Sequence, residues 1–223
     1  MRNIFPDDGY TTSVSGLIHK IQRGLGEPRA AWGAVRGRVR GRVFTWWCRA
    51  FRPRVRIGRN LFLTGRLKIR GPGSVIIGDH VNVGMTVTPY TYSRDSVIHI
   101  SDHVFLNGAR FGCRQRIEIG AHSIIAECRI SDYDFHSVDP EHRNDPAYIK
   151  CQPVTIGENV WITRDCHIQK GVTIGRDSTI APLSLVRTSI PERCIAGGNP
   201  AVVLKTLPPA EHELPAMNAR SAS

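Results

Sequence analysis

The chain has 223 residues, 41% of them hydrophobic, with 21 glycines, 14 prolines and a formal net charge of +11. That size suits one domain with an appendage, and the glycine and proline content suits a turn-rich architecture. Six cysteines without a CxxC pair or metal-ligand spacing argue against a disulfide scaffold, and neither an apolar run of about 18 residues nor a secretory start is present, so the expectation is a cytoplasmic protein with reduced, packing thiols.

The charge is concentrated at one end. Residues 1–56 hold 12 Arg or Lys against 3 acids, whereas residues 57–223 hold 18 against 16. The basic segment, residues 1–54, reads as two helices broken between Gly24 and Pro28. In the first, Val14, Leu17, Ile18, Ile21 and Leu25 recur at three- and four-residue steps. The second runs from about Ala30 to Phe51, with Trp32, Val35, Val39, Val43, Trp46 and Ala50 in one stripe and five arginines between them. Gly33, Gly37 and Gly41 each weaken it by roughly 1 kcal/mol relative to alanine, so it should need a surface to lie on. Three surfaces are open: the first coil of the chain's own body, an anionic membrane face reached by residues 13–51, and nucleic acid. The last is disfavoured because no DNA-binding frame surrounds the arginines.

From Val55 to Lys205 a six-residue period takes over. Ile57, Leu63 and Ile69 keep one phase, RGPGS at 70–74 shifts it, and Ile77, Val83, Ile100, Leu106, Ile119 and Ile125 follow with slips between them. The period is unbroken in Ile156, Ile162, Ile168, Ile174, Ile180 and Val186. It fits neither a helix nor one long strand, but it does fit short strands separated by corners, three to a coil. Ile156 should then stack on Ile174, Ile162 on Ile180 and Ile168 on Val186. The triplets GDH, SDH, GAH, GEN and GRD read as the corners. The fold expected is all-β, a parallel β-helix with an N-terminal α-helical segment.

One long polar loop interrupts the stack at residues 131–153. It carries His136, His142 and five acids, and a loop of that length in a tight stack is the first place to look for chemistry. Residues 206–223 are rich in proline and alanine without periodicity, and read as a loose tail.

The hexads, the IGENVWI run from Ile156, the histidine-bearing loop before it and AGGNPA from Ala196 together resemble the left-handed β-helix acyltransferases. The nearest branch is that of O-acetyltransferases acting on sugars, antibiotics and surface polysaccharides. Handedness comes from this resemblance, since the general crossover rule would give the opposite hand. The resemblance implies acetyl-CoA as co-substrate, no metal, a saccharide acceptor and a homotrimer with each site between two prisms. His136 matches the family's catalytic histidine, and a histidine is a suitable base for a hydroxyl nucleophile. Asp134, Asp132 or a backbone carbonyl could hold its ring. Asn107 and Trp161 match acceptor-contacting and site-lining positions. Arg164, Pro182, Arg187, Thr188, Val202 and Lys205 match coenzyme-contacting positions, with Arg187 and Lys205 suited to phosphate. Arg164 and Pro182 depart from the small residues usual there, which puts acyl-chain preference in doubt. Two other classes share the fold: a zinc hydratase, for which His80, His103 and His122 would be the ligands, and a noncatalytic scaffold.

Overall fold

The computed structural model describes residues 28–209. The expected first helix, and the tail beyond residue 209, lie outside them. A helix, α1 (Pro28–Phe51), is followed by twenty short strands, β1 (Val55–Ile57) to β20 (Ala201–Thr206). Pro28 stands in the first turn of α1, where its missing N–H costs no hydrogen bond.

The strands form three sheets along a triangular prism, parallel throughout except for the antiparallel pair β19 (Cys194–Gly198) and β20. Sheet 1 has the order β1-β4-β7-β10-β13-β16, sheet 2 runs β2-β5-β8-β11-β14-β17-β19-β20, and sheet 3 contains β3, β6, β9, β12, β15 and β18. This is a left-handed β-helix of six full coils and part of a seventh. Its core is a set of aliphatic columns. In sheet 1, Ile57, Ile77, Ile100, Ile119, Ile156 and Ile174 lie in register from coil to coil. In sheet 2 the column is Leu63, Val83, Leu106, Ile125, Ile162 and Ile180. Ile168 stacks on Val186 in sheet 3. The period-six residues are therefore the inward ones, and nearly all are fully buried.

The first coil departs from the expected phase. In sheet 3 its inward residue is Leu67, while Ile69 is only partly buried, because the strand pairs through Leu67 with Val87 and the chain needs residues 68–73 to reach β4. The corners follow the triplets. Asn60, His80, His103, His122, Asn159 and Asp177 all take left-handed φ values between 53° and 61°, at the turn from sheet 1 to sheet 2. Asn, Asp and His tolerate that region better than other side chains.

Helix α1 covers the open edge of the first coil, but with the face opposite to the apolar stripe. Gly37 sits over the Phe62 ring, and a Cβ on Gly41 would stand 1.8 Å from the Leu61 carbonyl oxygen. Cys48 joins the core, and the Arg40 guanidinium donates to the Thr64 and Gly65 carbonyls at 2.9 and 2.6 Å, satisfying groups that an uncovered edge would leave to solvent. Two of the three glycines expected to weaken the helix, Gly37 and Gly41, are thus what lets its backbone touch the prism, whereas Gly33 meets nothing within 4 Å. Trp32, Val43 and Trp46 are 71%, 60% and 66% exposed.

Candidate active site

The loop expected to carry chemistry leaves β12 (Arg129–Ser131) and rejoins the stack at β13 (Val154–Ile156), so it replaces the corner between sheet 3 and sheet 1. Its base is a short antiparallel ladder. Tyr133 bridges Cys151, the Asp134 N–H donates to the Lys150 carbonyl at 3.0 Å, and the Gln152 N–H donates to the Asp132 carbonyl at 2.8 Å.

The two candidate orienting carboxylates are both engaged elsewhere. Asp132 is fully buried and accepts the backbone N–H groups of Arg114, Gln115 and Arg116 at 2.7, 2.7 and 2.6 Å, with the Cys113 thiol at 3.3 Å. It pins the loop to the preceding coil. Asp134 accepts from Lys170 Nζ at 2.5 Å, which ties the loop to the following coil. Neither carboxylate hydrogen-bonds the His136 ring among the described residues.

The two loop histidines differ sharply. His142 lies 3.8 Å from Tyr148, ring centroid to centroid, and its Nδ1 is 2.8 Å from Asp139 Oδ2. That contact, with the Glu141 N–H, holds the Asp139 carboxyl below its usual range. His142 is therefore a fastener inside the loop. His136 is exposed and makes no side-chain hydrogen bond to another described residue. An aromatic ladder that sequence reading missed ends at its neighbour in the chain, Phe135: Tyr90, Tyr92, Tyr133 and Phe135, with centroids 4.4, 4.8 and 4.8 Å apart. Burial, with the neighbouring Tyr92 hydroxyl, pushes the Tyr133 phenol up, and among the described residues its hydroxyl has no partner in hydrogen-bonding geometry. The alternation of tyrosines in TPYTY, placed two coils before DYDF on the same edge, is the signal that could have found it.

The other expected residues divide by position. Arg187 and Thr188 follow β18 (Leu185–Val186) at the sheet 3 to sheet 1 corner, on the edge that carries His136, Asp134 and Lys170. Asn107 ends β8 (Phe105–Asn107) in sheet 2. Trp161 begins β14 (Trp161–Ile162) in the same sheet, 47% exposed beside inward Ile162. Arg164 and Pro182 occupy the corners from sheet 2 to sheet 3, and Val202 and Lys205 lie on β20, at the end of sheet 2. Beside them Leu183, Val202 and Leu204 form an exposed apolar strip. Arg187 and Lys205 are exposed and form no ion pair with another described residue. One edge thus carries the histidine, and a second surface carries the tryptophan, the apolar strip and a free cation. Sheet 3 lies between them.

The His80, His103 and His122 rings stack along the sheet 1 to sheet 2 corner at 4.8 and 5.0 Å, within 8° of parallel. Stacked rings hold their nitrogen lone pairs side by side in parallel planes and do not converge them on one point, so this ladder is corner packing.

Known proteins resemble the chain in both sequence and fold. Residues 153–188 match the family described as "Bacterial transferase hexapeptide (six repeats)". The Escherichia coli K12 protein named "Putative colanic acid biosynthesis acetyltransferase WcaF" is 29% identical over 177 residues, 75% of this chain and 82% of the relative. The galactoside O-acetyltransferase of the same organism is 32% identical over 53% of this chain and 59% of its own. The crystal structure of the polysialic acid O-acetyltransferase OatWY superposes with a TM-score of 0.58 at 21% identity, covering 73% of this chain and 80% of that one, a likeness of fold. The unbroken hexads and the interrupted corner are those of a left-handed β-helix, and in sequence the chain is similar to hexapeptide-repeat acetyltransferases, among them proteins named for colanic acid and galactoside acetylation.

Proposed function

We propose that the protein transfers an acetyl group from acetyl-CoA to a hydroxyl of a saccharide, as a surface polysaccharide or its precursor, with His136 as general base. The observation that carries the reading is the contrast within one loop: His142 is fastened by Asp139 and Tyr148, whereas His136 stands exposed on an edge shared with Arg187 and Thr188. The acceptor hydroxyl attacks the thioester carbonyl while His136 takes its proton. The tetrahedral intermediate then collapses, the C–S bond breaks, and the imidazolium returns the proton to the leaving coenzyme A sulfur. Direct transfer of this kind needs no covalent acyl-enzyme. Asp134, held by Lys170, acts as a positioning residue that sets the height of the loop on the prism.

In this reading the pantetheine arm lies along the apolar strip at the end of sheet 2, the sheet that also carries Trp161. Arg164, Pro182, Thr188 and Val202 line its path, and Arg187 and Lys205 meet the phosphates. Asn107 and Trp161 contact the acceptor. Because sheet 3 separates the histidine edge from the sheet 2 surface, a single prism does not gather both groups. A homotrimer with its axis along the prisms sets the edge of one copy against the sheet 2 surface of the next. The protein works in the cytoplasm. Relatives named for colanic acid and galactoside acetylation support the saccharide class of acceptor.

The test is release of free thiol from acetyl-CoA in the presence of a panel of sugars. His136→Ala should lower acceptor-dependent turnover by about 10²–10⁴-fold. Turnover unchanged in that variant removes His136 from the mechanism.

A further inference from the structure

We infer that the outward face of α1 is an in-plane anchor for an anionic lipid surface. The Gly37, Gly41 and Cys48 face is spent on the first coil. At 100° per residue, Trp32, Val35, Val39, Val43 and Trp46 fall on the opposite side of the helix, and all five are exposed. The stripe is thus exposed along its length, and only its Val39, Val43 and Trp46 flank borders the first coil, across an open groove.

Charge selects the partner. Helix α1 contains six arginines and no Asp or Glu. Arg38, Arg42 and Arg49 flank the stripe on one side and Arg36 on the other, all exposed, at the height where guanidinium groups meet lipid phosphates while tryptophan and valine enter the headgroup boundary. An apolar groove of about 560 Å³ opens beside the stripe between α1 and the first coil, lined by Val43, Trp46, Trp47 and Leu67 and rimmed by Arg66 and Lys68. Its apolar floor and cationic rim match an amphiphile with an anionic head. A second copy is a poor match, since it offers either the same basic helix or a body whose 18 cations and 16 acids nearly cancel. Residues 1–27, with three cations and three acids, are neutral and equally poor in complementary charge. For a bare polyanion such as nucleic acid, the exposed tryptophans and valines would have no role.

The experiment uses the full chain and vesicles of phosphatidylcholine with or without phosphatidylglycerol. Three of the four tryptophans lie in α1, so a Trp161→Phe background reports on the helix alone. Flotation and a blue shift of tryptophan emission are expected with phosphatidylglycerol vesicles only, and both should weaken as salt rises. Val39→Glu should lower binding at least tenfold, to judge from roughly the cost of placing a charge at the buried face. Arg42→Gln should lower it about fivefold, near the contribution of one cation at an anionic surface. Circular dichroism of both variants should match that of the parent.

Failure of the full chain to float overturns the proposal, as does equal flotation on neutral vesicles. Binding that follows Arg42 but ignores Val39→Glu also overturns it, for that is polyanion attraction without insertion. A smaller oligomer for Val39→Glu in sedimentation, without lipid, would make the stripe a contact between copies and sink the idea.

Discussion

Lys170 Nζ stands 2.5 Å from Asp134 Oδ1, across 36 residues of sequence, and this ion pair, with the Gly171 N–H donating to the Gln152 carbonyl at 3.1 Å, ties the histidine-bearing loop to the coil that follows it. Both side chains are largely shielded, so the pair is better protected from solvent than an exposed ion pair. Lys170→Met should leave the fold intact and lower kcat by between about tenfold and a hundredfold, as displacement of a reacting group by an ångström does. Asp134→Asn should fall in the same range, and the double variant should be no worse than either single one, because the residues act as one unit. Steady-state kinetics on the three variants checks this.

The close approach of Gly41 to the prism predicts opposite signs for two identical substitutions in one helix. Gly41→Ala sets a methyl group against the Leu61 carbonyl and should destabilise by about 1–3 kcal/mol despite alanine's better helix propensity. Gly33→Ala meets nothing within 4 Å and should stabilise by roughly 0.5–1 kcal/mol. Thermal unfolding at constant protein concentration separates them, at about 2–4 °C per kcal/mol for a chain of this size.

His167, on the outer side of sheet 3, has its pKa lowered from 6.5 by burial and by the neighbouring Arg129 cation. The unfolded chain therefore binds this proton more readily than the folded one. Its contribution to stability is complete above pH 6.5 and is lost as pH falls from there through the lower folded value. His167→Gln should flatten that part of the stability profile. Unfolding midpoints of parent and variant measured across the interval should converge at low pH and separate above it.

The six cysteines are free, and five of them, Cys48, Cys113, Cys128, Cys166 and Cys194, are buried. Burial also pushes the Cys48, Cys113, Cys128, Cys151 and Cys166 thiols up, so little thiolate is present at neutral pH. A disulfide-exchange reagent should modify the native protein slowly and at Cys151 alone, and all six positions only after denaturation. Mass spectrometry of the modified peptides gives the answer directly.

The columns of the prism were legible because a period of six leaves an aliphatic residue at each inward position whatever the surroundings. The corners were legible for a similar local reason: Asn, Asp and His at the third place of each triplet accept the left-handed conformation the turn requires. The face by which α1 docks was not. A pattern of apolar residues marks a buried face when side chains fill the contact, but here the Leu61 carbonyl fills it, and glycine's fitness shows only once that backbone is in place. The role of Asp132 was hidden likewise, since three N–H groups from the preceding coil converge on it only after the stack has formed. The ion pair of Asp134 with Lys170 depends on loop closure between coils, which no local spacing encodes.

The residues of the proposed site divide between two surfaces of the prism, and that division can be tested by mixing. His136→Ala disables the loop edge and Trp161→Ala the sheet 2 surface, so each variant alone should turn over acceptor poorly. If each site joins the edge of one copy to the surface of the next, co-expressed variants should recover about one quarter of parental turnover, the share of sites in a randomly mixed ring that receive both intact residues. Recovery no greater than the average of the two variants measured separately would contradict a site shared between copies.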